Sequence, residues 1–117
     1  MDKPHKKLKV WQDAMVTARD IYRLTSLLPS EEKFGLISQM RRAAVSIPCN
    51  IAEGAARRGK KVFINFLSIA QGSLSELDTQ LELCVLLGFL EPEGLGRLQE
   101  KLTKVDKMLT GLIRSLQ

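Results

Sequence analysis

Apolar residues recur at intervals of three and four along most of the chain, which is the spacing of one face of an α-helix. The pattern predicts four helices, at about Leu8 to Leu28, Glu31 to Arg57, Lys60 to Leu87 and Leu95 to Leu116. The connections between them are short, so consecutive helices are expected to pack antiparallel. The sequence therefore predicts an all-α fold, an antiparallel up-down-up-down four-helix bundle.

The second predicted helix contains an interior proline and has two faces that can pack. Pro48 cannot donate a hydrogen bond to the carbonyl of Ala44, so we expect a kink there, relieved by the hydroxyl of Ser46 or by water. Beside its core face, this helix carries a strip of mostly small residues: Ser38, Val45, Cys49, Ala52 and Ala56. Small side chains let another backbone approach closely, which indicates a partner beyond the neighbouring helix.

Three residues are expected to set helix boundaries. Pro29 ends the first helix because the residue before a proline is pushed out of helical geometry, and Ser30 is placed to cap the second helix. Gly59 is a natural stop between the second and third helices. The end of the third helix is apolar nearly all round. Its outer residues are either covered by the other helices or form part of a subunit interface, and the sequence leaves both open.

A chain of 117 residues fits one domain with a genuine core. We assign residues 8–117 to the bundle and residues 1–7 to a basic tail. Cys49 and Cys84 have neither metal-ligand spacing nor the density of a secreted disulfide scaffold, so reduced thiols in a cytoplasmic protein are expected. The chain start lacks the apolar run of a signal peptide, and no segment has 18 uninterrupted apolar residues. Neither export nor membrane spanning is expected.

Charge is distributed unevenly between the two halves of the chain. Residues 1–61 hold 13 Lys or Arg against 6 Asp or Glu, a net of +7, whereas residues 62–117 hold 5 against 7, a net of −2. No Lys or Arg occurs between Val62 and Gly96. Such segregation suits either a polyanionic partner or self-association. The basic half is therefore the candidate contact surface.

Basic pairs near the ends of the second helix and at the start of the third are the candidate nucleic-acid-binding residues. They are Arg41, Arg42, Arg57, Arg58, Lys60 and Lys61. These side chains could neutralise a phosphate backbone, with the open amides of the third helix adding donors for an anion. Two other interpretations stay open. Glu53 can pair with Arg57, and acidic residues of the third helix can pair with a neighbouring subunit, or the cations form an ordinary solvated surface.

The sequence contains no catalytic or metal-binding constellation. His5 is the only histidine and lies in the tail, where we expect it to be solvated, so no serine has a histidine base near a pocket. Trp11 and Tyr22 follow the core stripe, which disfavours base stacking. Neither a cofactor nor a metal is expected, and we do not expect an enzyme.

Six separated motifs, in order along the chain, are shared with a known family. They are Leu8-Lys-Val-Trp-Gln, Arg41-Arg42-Ala-Ala-Val-Ser-Ile-Pro, Asn50-Ile-Ala-Glu-Gly54, Phe66-Leu-Ser-Ile-Ala, Gly72-Ser-Leu-Ser-Glu-Leu-Asp-Thr-Gln-Leu81 and Leu86-Leu-Gly-Phe-Leu. On these motifs the chain resembles the bacterial 23S rRNA intervening-sequence four-helix bundle proteins. One departure is Gly59-Lys60-Lys61-Val62, where the family often has Ser-Lys-Lys-Glu, so the third helix loses both partners of a capping box.

The resemblance implies a homo-oligomer, a ring of five, of a kind encoded in some bacteria within insertions in large-subunit rRNA genes. Together with the charge pattern, it leads to the hypothesis of a non-enzymatic bundle that binds RNA or another nucleic acid at the junction of the second and third helices. The alternative is a structural assembly or protein-interaction module whose charges serve subunit contacts. The sequence identifies neither the nucleic acid nor a protein partner.

Overall fold

The computed structural model describes all residues, 1–117, and contains four helices and no strand. The helices are α1 (Lys9–Thr25), α2 (Leu36–Ala56), α3 (Lys60–Leu86) and α4 (Gly96–Leu116). Each helix packs on the next, and α1 also packs on α4, which closes the bundle. The 27 residues of α3 span about 40 Å at 1.5 Å per residue, close to the 44 Å length of the molecule. The predicted all-α four-helix bundle is confirmed.

One cluster of 22 buried apolar residues forms the core. Ile47 and Ile51 of α2, Leu77 and Leu81 of α3, and Leu109 of α4 are fully buried. These positions belong to the predicted stripes, whose spacing keeps one side of each helix facing inward. The hydrophobic pattern therefore also determines which faces point outward.

The helices α2 and α3 approach each other closely at the end where they are joined. A Cβ atom at Gly54 would lie 2.7 Å from Cβ of Phe66 and 3.0 Å from Cδ1 of Phe63, so only glycine fits. The connection is three residues long and ends at Gly59, whose φ of 103° is readily adopted only by glycine. The predicted stop at Gly59 is confirmed.

The start of α2 differs from the prediction. Residues Ser30–Glu32 form a separate 3₁₀ turn, and Gly35 has non-helical backbone angles, so α2 begins at Leu36. The carboxylate of Glu32 accepts a hydrogen bond from the amide of Leu36 over 3.2 Å. The expectation that Ser30 caps this helix was wrong. Glu32 satisfies the helix start instead, and its negative charge suits that end of the helix dipole.

The helix α2 continues without interruption through Pro48, which is buried. The hydroxyl of Ser46 does not serve the carbonyl of Ala44 as predicted, because it forms a 2.8 Å hydrogen bond with the hydroxyl of Ser73 on α3. The side-chain amide of Asn50 donates to both the carbonyl and the hydroxyl of Ser46. Ser46 thus links α2 to α3. The kink at Pro48 stays a prediction.

The apolar end of α3 is divided between core and surface. Leu81 and Cys84 are fully buried, whereas Leu83 is 40% exposed, Leu87 51% and Leu86 84%. Burial inside the bundle therefore accounts for only some of these residues. The expectation that the others form a subunit interface stays open.

Candidate nucleic-acid interface

Basic residues gather at one end of the bundle. Because neighbouring helices are antiparallel, the starts of α1 and α3 and the ends of α2 and α4 lie at the same end of the molecule. The basic residues placed there are Lys3, Lys6, Lys7, Lys9, Arg57, Arg58, Lys60, Lys61 and Arg114. The opposite end carries the turns Ser30–Glu32 and Pro92–Gly94, which contain Glu31, Glu32 and Glu93. Lys33 and Arg97 also lie at the opposite end, but positive charge is more concentrated at the first end, which we call the basic end.

Three cations at the α2–α3 junction have no partner within the chain. Arg58, Lys60 and Lys61 are exposed and take no part in any ion pair or hydrogen bond of their side chains. Arg57 differs, because it donates to Glu53 over 2.9 Å and its guanidinium lies 5.5 Å from the centre of the Phe66 ring. Part of its charge is neutralised, although the side chain is still 55% exposed. The unpaired positive charge at this junction therefore comes from the other three residues.

The first turn of α3 lacks a side-chain cap. Gly59 occupies the capping position and offers no side chain, and the amide of Phe63 is the first to bond back, to the carbonyl of Gly59 over 3.3 Å. The amides before it are left open, as in other helix starts. Lysines at positions 60 and 61 oppose the helix dipole by a few tenths of a kcal/mol. An anion bound here would be favoured by both the amides and the lysines.

Arg41 and Arg42 lie far from this junction. Arg57 is 16 positions after Arg41, which corresponds to about 24 Å along α2 at 1.5 Å per residue. The six predicted residues therefore do not form one cluster. Arg42 is exposed on the outer side of α2, toward the opposite end of the bundle.

Arg41 is engaged with the end of α1. Its Nε donates to the hydroxyl of Thr25 over 2.8 Å, and its terminal nitrogen donates to the carbonyl of Tyr22 over 3.3 Å. The guanidinium lies 4.6 Å from the centre of the Tyr22 ring. A cation bonded to the last carbonyls of a helix also complements its dipole. Arg41 therefore stabilises the α1–α2 junction and offers less of its charge to a ligand.

The basic tail is folded against the bundle. Residues Pro4–Lys7 form a 3₁₀ turn that packs on α1 and α2. The rings of His5 and Trp11 meet edge to face with centres 5.1 Å apart, and the side-chain amide of Gln12 donates to the carbonyl of Lys6. His5, which was expected to be a solvated tail residue, is half-buried on Trp11. These contacts hold the tail lysines beside the basic end.

The sequence profile of the family described as "23S rRNA-intervening sequence protein" matches residues 6–111. The chain belongs to this family. A solved structure from Bacteroides thetaiotaomicron, described as a protein with unknown function from the S23 ribosomal protein family, is 28% identical in sequence. It superposes with a TM-score of 0.82 and covers 90% of this chain and 95% of that one. No curated protein matches the chain.

Two ion pairs of this family member join α4 to α1. Lys101 of α4 pairs with Asp20 of α1, and Lys104 lies 3.9 Å from Asp13. Burial acts to raise the pKa of Asp20, but the hydrogen bond and charge of Lys101, aided by Arg19, hold that pKa below its ordinary value. These groups are ion pairs with no histidine beside them. Their arrangement supports the packing of α4 on α1.

The acidic residues of α3 have no cation partner within the chain. Glu76 accepts a hydrogen bond from Gln80 over 3.2 Å, and Glu82 accepts one from Gln99 over 2.8 Å. Asp78 has neither an ion pair nor a side-chain hydrogen bond.

Burial, together with the charge of Glu32, raises the pKa of the Cys84 thiol, which favours its neutral form. None of the four helices is both long enough and apolar enough to cross a membrane.

Proposed function

We propose that this member of the 23S rRNA-intervening sequence family is a non-enzymatic, homo-oligomeric bundle that binds RNA through the basic end. The observation that carries the proposal is the group of three exposed, unpaired cations, Arg58, Lys60 and Lys61, around the uncapped start of α3. Phosphate groups complement both the side chains and the open amides. The two cysteines are unpaired, which suits a cytoplasmic protein.

The remaining basic residues are expected to contribute to RNA binding to different extents. The tail lysines extend the basic end, and Arg57 adds a partly neutralised charge. Arg42 is exposed but remote, so it contributes only to an RNA long enough to follow the side of the bundle. Arg41 contributes least, since Thr25 and Tyr22 already accept its hydrogen bonds.

The mode of contact follows from the side chains available. Trp11 is half-buried against His5, and Phe63 and Phe66, the aromatic residues nearest the three unpaired cations, are half-buried against α2 at Gly54. Contacts would therefore be made to phosphates and to RNA shape rather than to splayed bases. Several copies in one oligomer multiply such weak contacts through effective concentration. The count of five copies is supported by the family resemblance alone.

A direct binding assay tests this proposal. Fluorescence anisotropy with a structured RNA fragment compares the wild type with Arg58→Ala/Lys60→Ala/Lys61→Ala. The matched control is Arg23→Ala/Arg97→Ala/Lys107→Ala, which removes the same charge from exposed residues elsewhere. We expect the junction variant to lose about tenfold or more in affinity at moderate salt and the control to lose much less. Equal losses in both would point to nonspecific charge, and no binding by the wild type would contradict the proposal.

A second function is favoured by a separate observation. Arg57 already pairs with Glu53, while Glu76, Asp78 and Glu82 lack cation partners within the chain. If the cations of the basic end pair with these carboxylates on a neighbouring copy, the protein is an assembly module without an RNA role. In that case the junction variant would dissociate the oligomer, which light scattering detects. In the RNA-binding proposal the oligomer keeps its mass.

A further inference from the structure

An apolar groove runs along the outside of the bundle between α1 and α2. It has a volume of about 560 Å³, and its exposed apolar lining includes Met15, Tyr22 and Val45. These three side chains are 47%, 45% and 38% exposed. The small side chains of Cys49 and Ala52 also line it, so another helix can approach α2 closely. Nothing within the chain covers this surface.

The groove continues toward the start of α2 and has a basic border. A second depression shares Tyr22 and Val45 with the first and reaches Phe34, which is 89% exposed. From Ala52 to Ile37, the first α2 residue that lines the second depression, is 15 positions, or about 22 Å along the helix, and Phe34 lies beyond it. Arg19, Arg41 and Arg42 line the two depressions.

A second uncovered apolar face lies on α3. Val62, Ile69 and Leu83 are 40%, 46% and 40% exposed, and their separations of 7 and 14 residues place them on one side of the helix. The face is about 32 Å long from Val62 to Leu83. Glu76 falls between Ile69 and Leu83 at the same spacing and has no cation partner. This stretch of α3 contains no Lys or Arg after Lys61.

We infer that the α1–α2 groove of one copy binds the outer face of α3 of the next copy. Both surfaces are apolar over much of their length, each follows most of one helix, and the arginines beside the groove complement the charge of Glu76 on the α3 face. The inference rests on the homo-oligomer proposed above and names its contact surfaces. Because the two surfaces differ, the contact is heterologous, and each copy uses one of each. Repetition of such a contact closes into a ring when the rotation permits.

Two variants isolate the two halves of this contact. The groove variant is Met15→Glu/Val45→Glu, which places acids opposite the acidic α3 face. The α3 variant is Ile69→Lys/Leu83→Lys, which places cations opposite the basic border. All four side chains are exposed, so both variants are expected to fold, as circular dichroism and cooperative thermal unfolding check. The control is Thr103→Glu/Ser115→Glu, at exposed polar positions of α4.

Light scattering after size exclusion gives the decisive masses. We expect an oligomer for the wild type and the control, and a 13.1 kDa monomer for each variant. An equimolar mixture of the two variants is expected to associate again, to at least twice that mass, because the acids of the mutated groove also complement the lysines of the mutated α3 face. The mixed species also retains an intact groove facing an intact α3 face. A single self-complementary patch would instead leave the mixture monomeric.

Any other set of masses would contradict either the inferred contact or the proposed oligomer. If the wild type is an oligomer and either variant keeps its mass, or if the mixture stays monomeric, the inferred contact is wrong while the oligomer proposal stands. If the wild type itself is monomeric at high concentration, both the contact and the oligomer are wrong. The RNA affinity of the same samples is measured separately, because it tests RNA binding, the other part of the proposed function.

Discussion

Gly54 of α2 lies so close to Phe66 of α3 that a Cβ atom at Gly54 would be 2.7 Å from that of Phe66. Both residues belong to helix interiors next to the basic end, so rigid backbone limits how far either can move. The contact fixes the spacing of α2 and α3 immediately before the turn that carries the candidate RNA-binding residues. The shape of that turn therefore depends on residue 54 being a glycine, which has no side chain.

The first prediction concerns this contact. Gly54→Ala is expected to destabilise the protein by about 1–3 kcal/mol through overpacking, although alanine is the better helix former by about 1 kcal/mol. Gly72→Ala is the matched control, because nothing lies within 4 Å of its Cβ position and α3 should gain about 0.5–1 kcal/mol. Urea unfolding measures both. A Gly54→Ala variant as stable as Gly72→Ala would show that α2 and α3 separate at little cost.

The second prediction separates the two neighbouring arginines of α2. Arg41→Ala is expected to lower the free energy of unfolding by about 1–2 kcal/mol, because it removes hydrogen bonds to Thr25 and Tyr22 and the contact with the tyrosine ring. Arg42→Ala should change it by less than about 0.5 kcal/mol, as expected for an exposed side chain. Thermal unfolding gives both values. Equal effects would contradict the role assigned to Arg41.

The third prediction concerns acid stability. Because the folded pKa of Asp20 is below its ordinary value of 3.8, its ion pair stabilises the fold above that pH. This contribution is lost as the pH falls through the lower, folded-state pKa. Unfolding free energies at pH 7 and near pH 3 should therefore differ less for Asp20→Asn than for the wild type. The difference is at most about 1 kcal/mol, because the pair is partly exposed.

The control for acid stability is Asp78→Asn, at an exposed carboxyl without an ion pair. Its pH dependence should resemble that of the wild type. If Asp20→Asn and Asp78→Asn behave alike, the Lys101 pair contributes nothing measurable to the fold.

The fourth prediction tests the tail. Trp11→Ala removes the ring on which His5 packs, so the tail is expected to detach and its lysines to become mobile. Nuclear magnetic resonance of the backbone would show narrow signals for residues 3–7 in this variant and not in the wild type. His5→Ala serves as the milder comparison, since Trp11 then keeps its other contacts. Unchanged tail signals in both variants would mean that His5 and Trp11 do not hold the tail.

The helices and the core could be predicted because both follow from the spacing of apolar residues along the chain. The stripe of α3 that includes Leu77 and Leu81 is buried as its periodicity indicates. The start of α2 was missed because Glu32, rather than the usual capping serine, satisfies the amide of Leu36 across a glycine. That contact depends on the angle of the chain at Gly35, which the hydrophobic pattern does not encode.

The candidate site was predicted less completely, since its geometry depends on contacts between distant residues. The roles of Arg41 at the end of α1 and of His5 on Trp11 appear only when the helices are assembled. Local sequence alone places Arg41 and Arg42 with the other basic pairs, although about 24 Å of helix separates them from Arg57. The three unpaired cations could be found from sequence because they flank Gly59, a recognisable helix boundary.

The salt dependence of RNA affinity tests the central claim most directly. With the structured RNA fragment of the binding assay, each phosphate contact contributes about 0.7–0.9 to the slope of the logarithm of affinity against the logarithm of salt concentration, the range between single strands and duplexes. Removing Arg58, Lys60 and Lys61 should therefore reduce that slope by about two to three, while the oligomer keeps its mass. A slope identical to that of the wild type would mean that these cations do not contact phosphates, and the proposed RNA site at the basic end would be wrong.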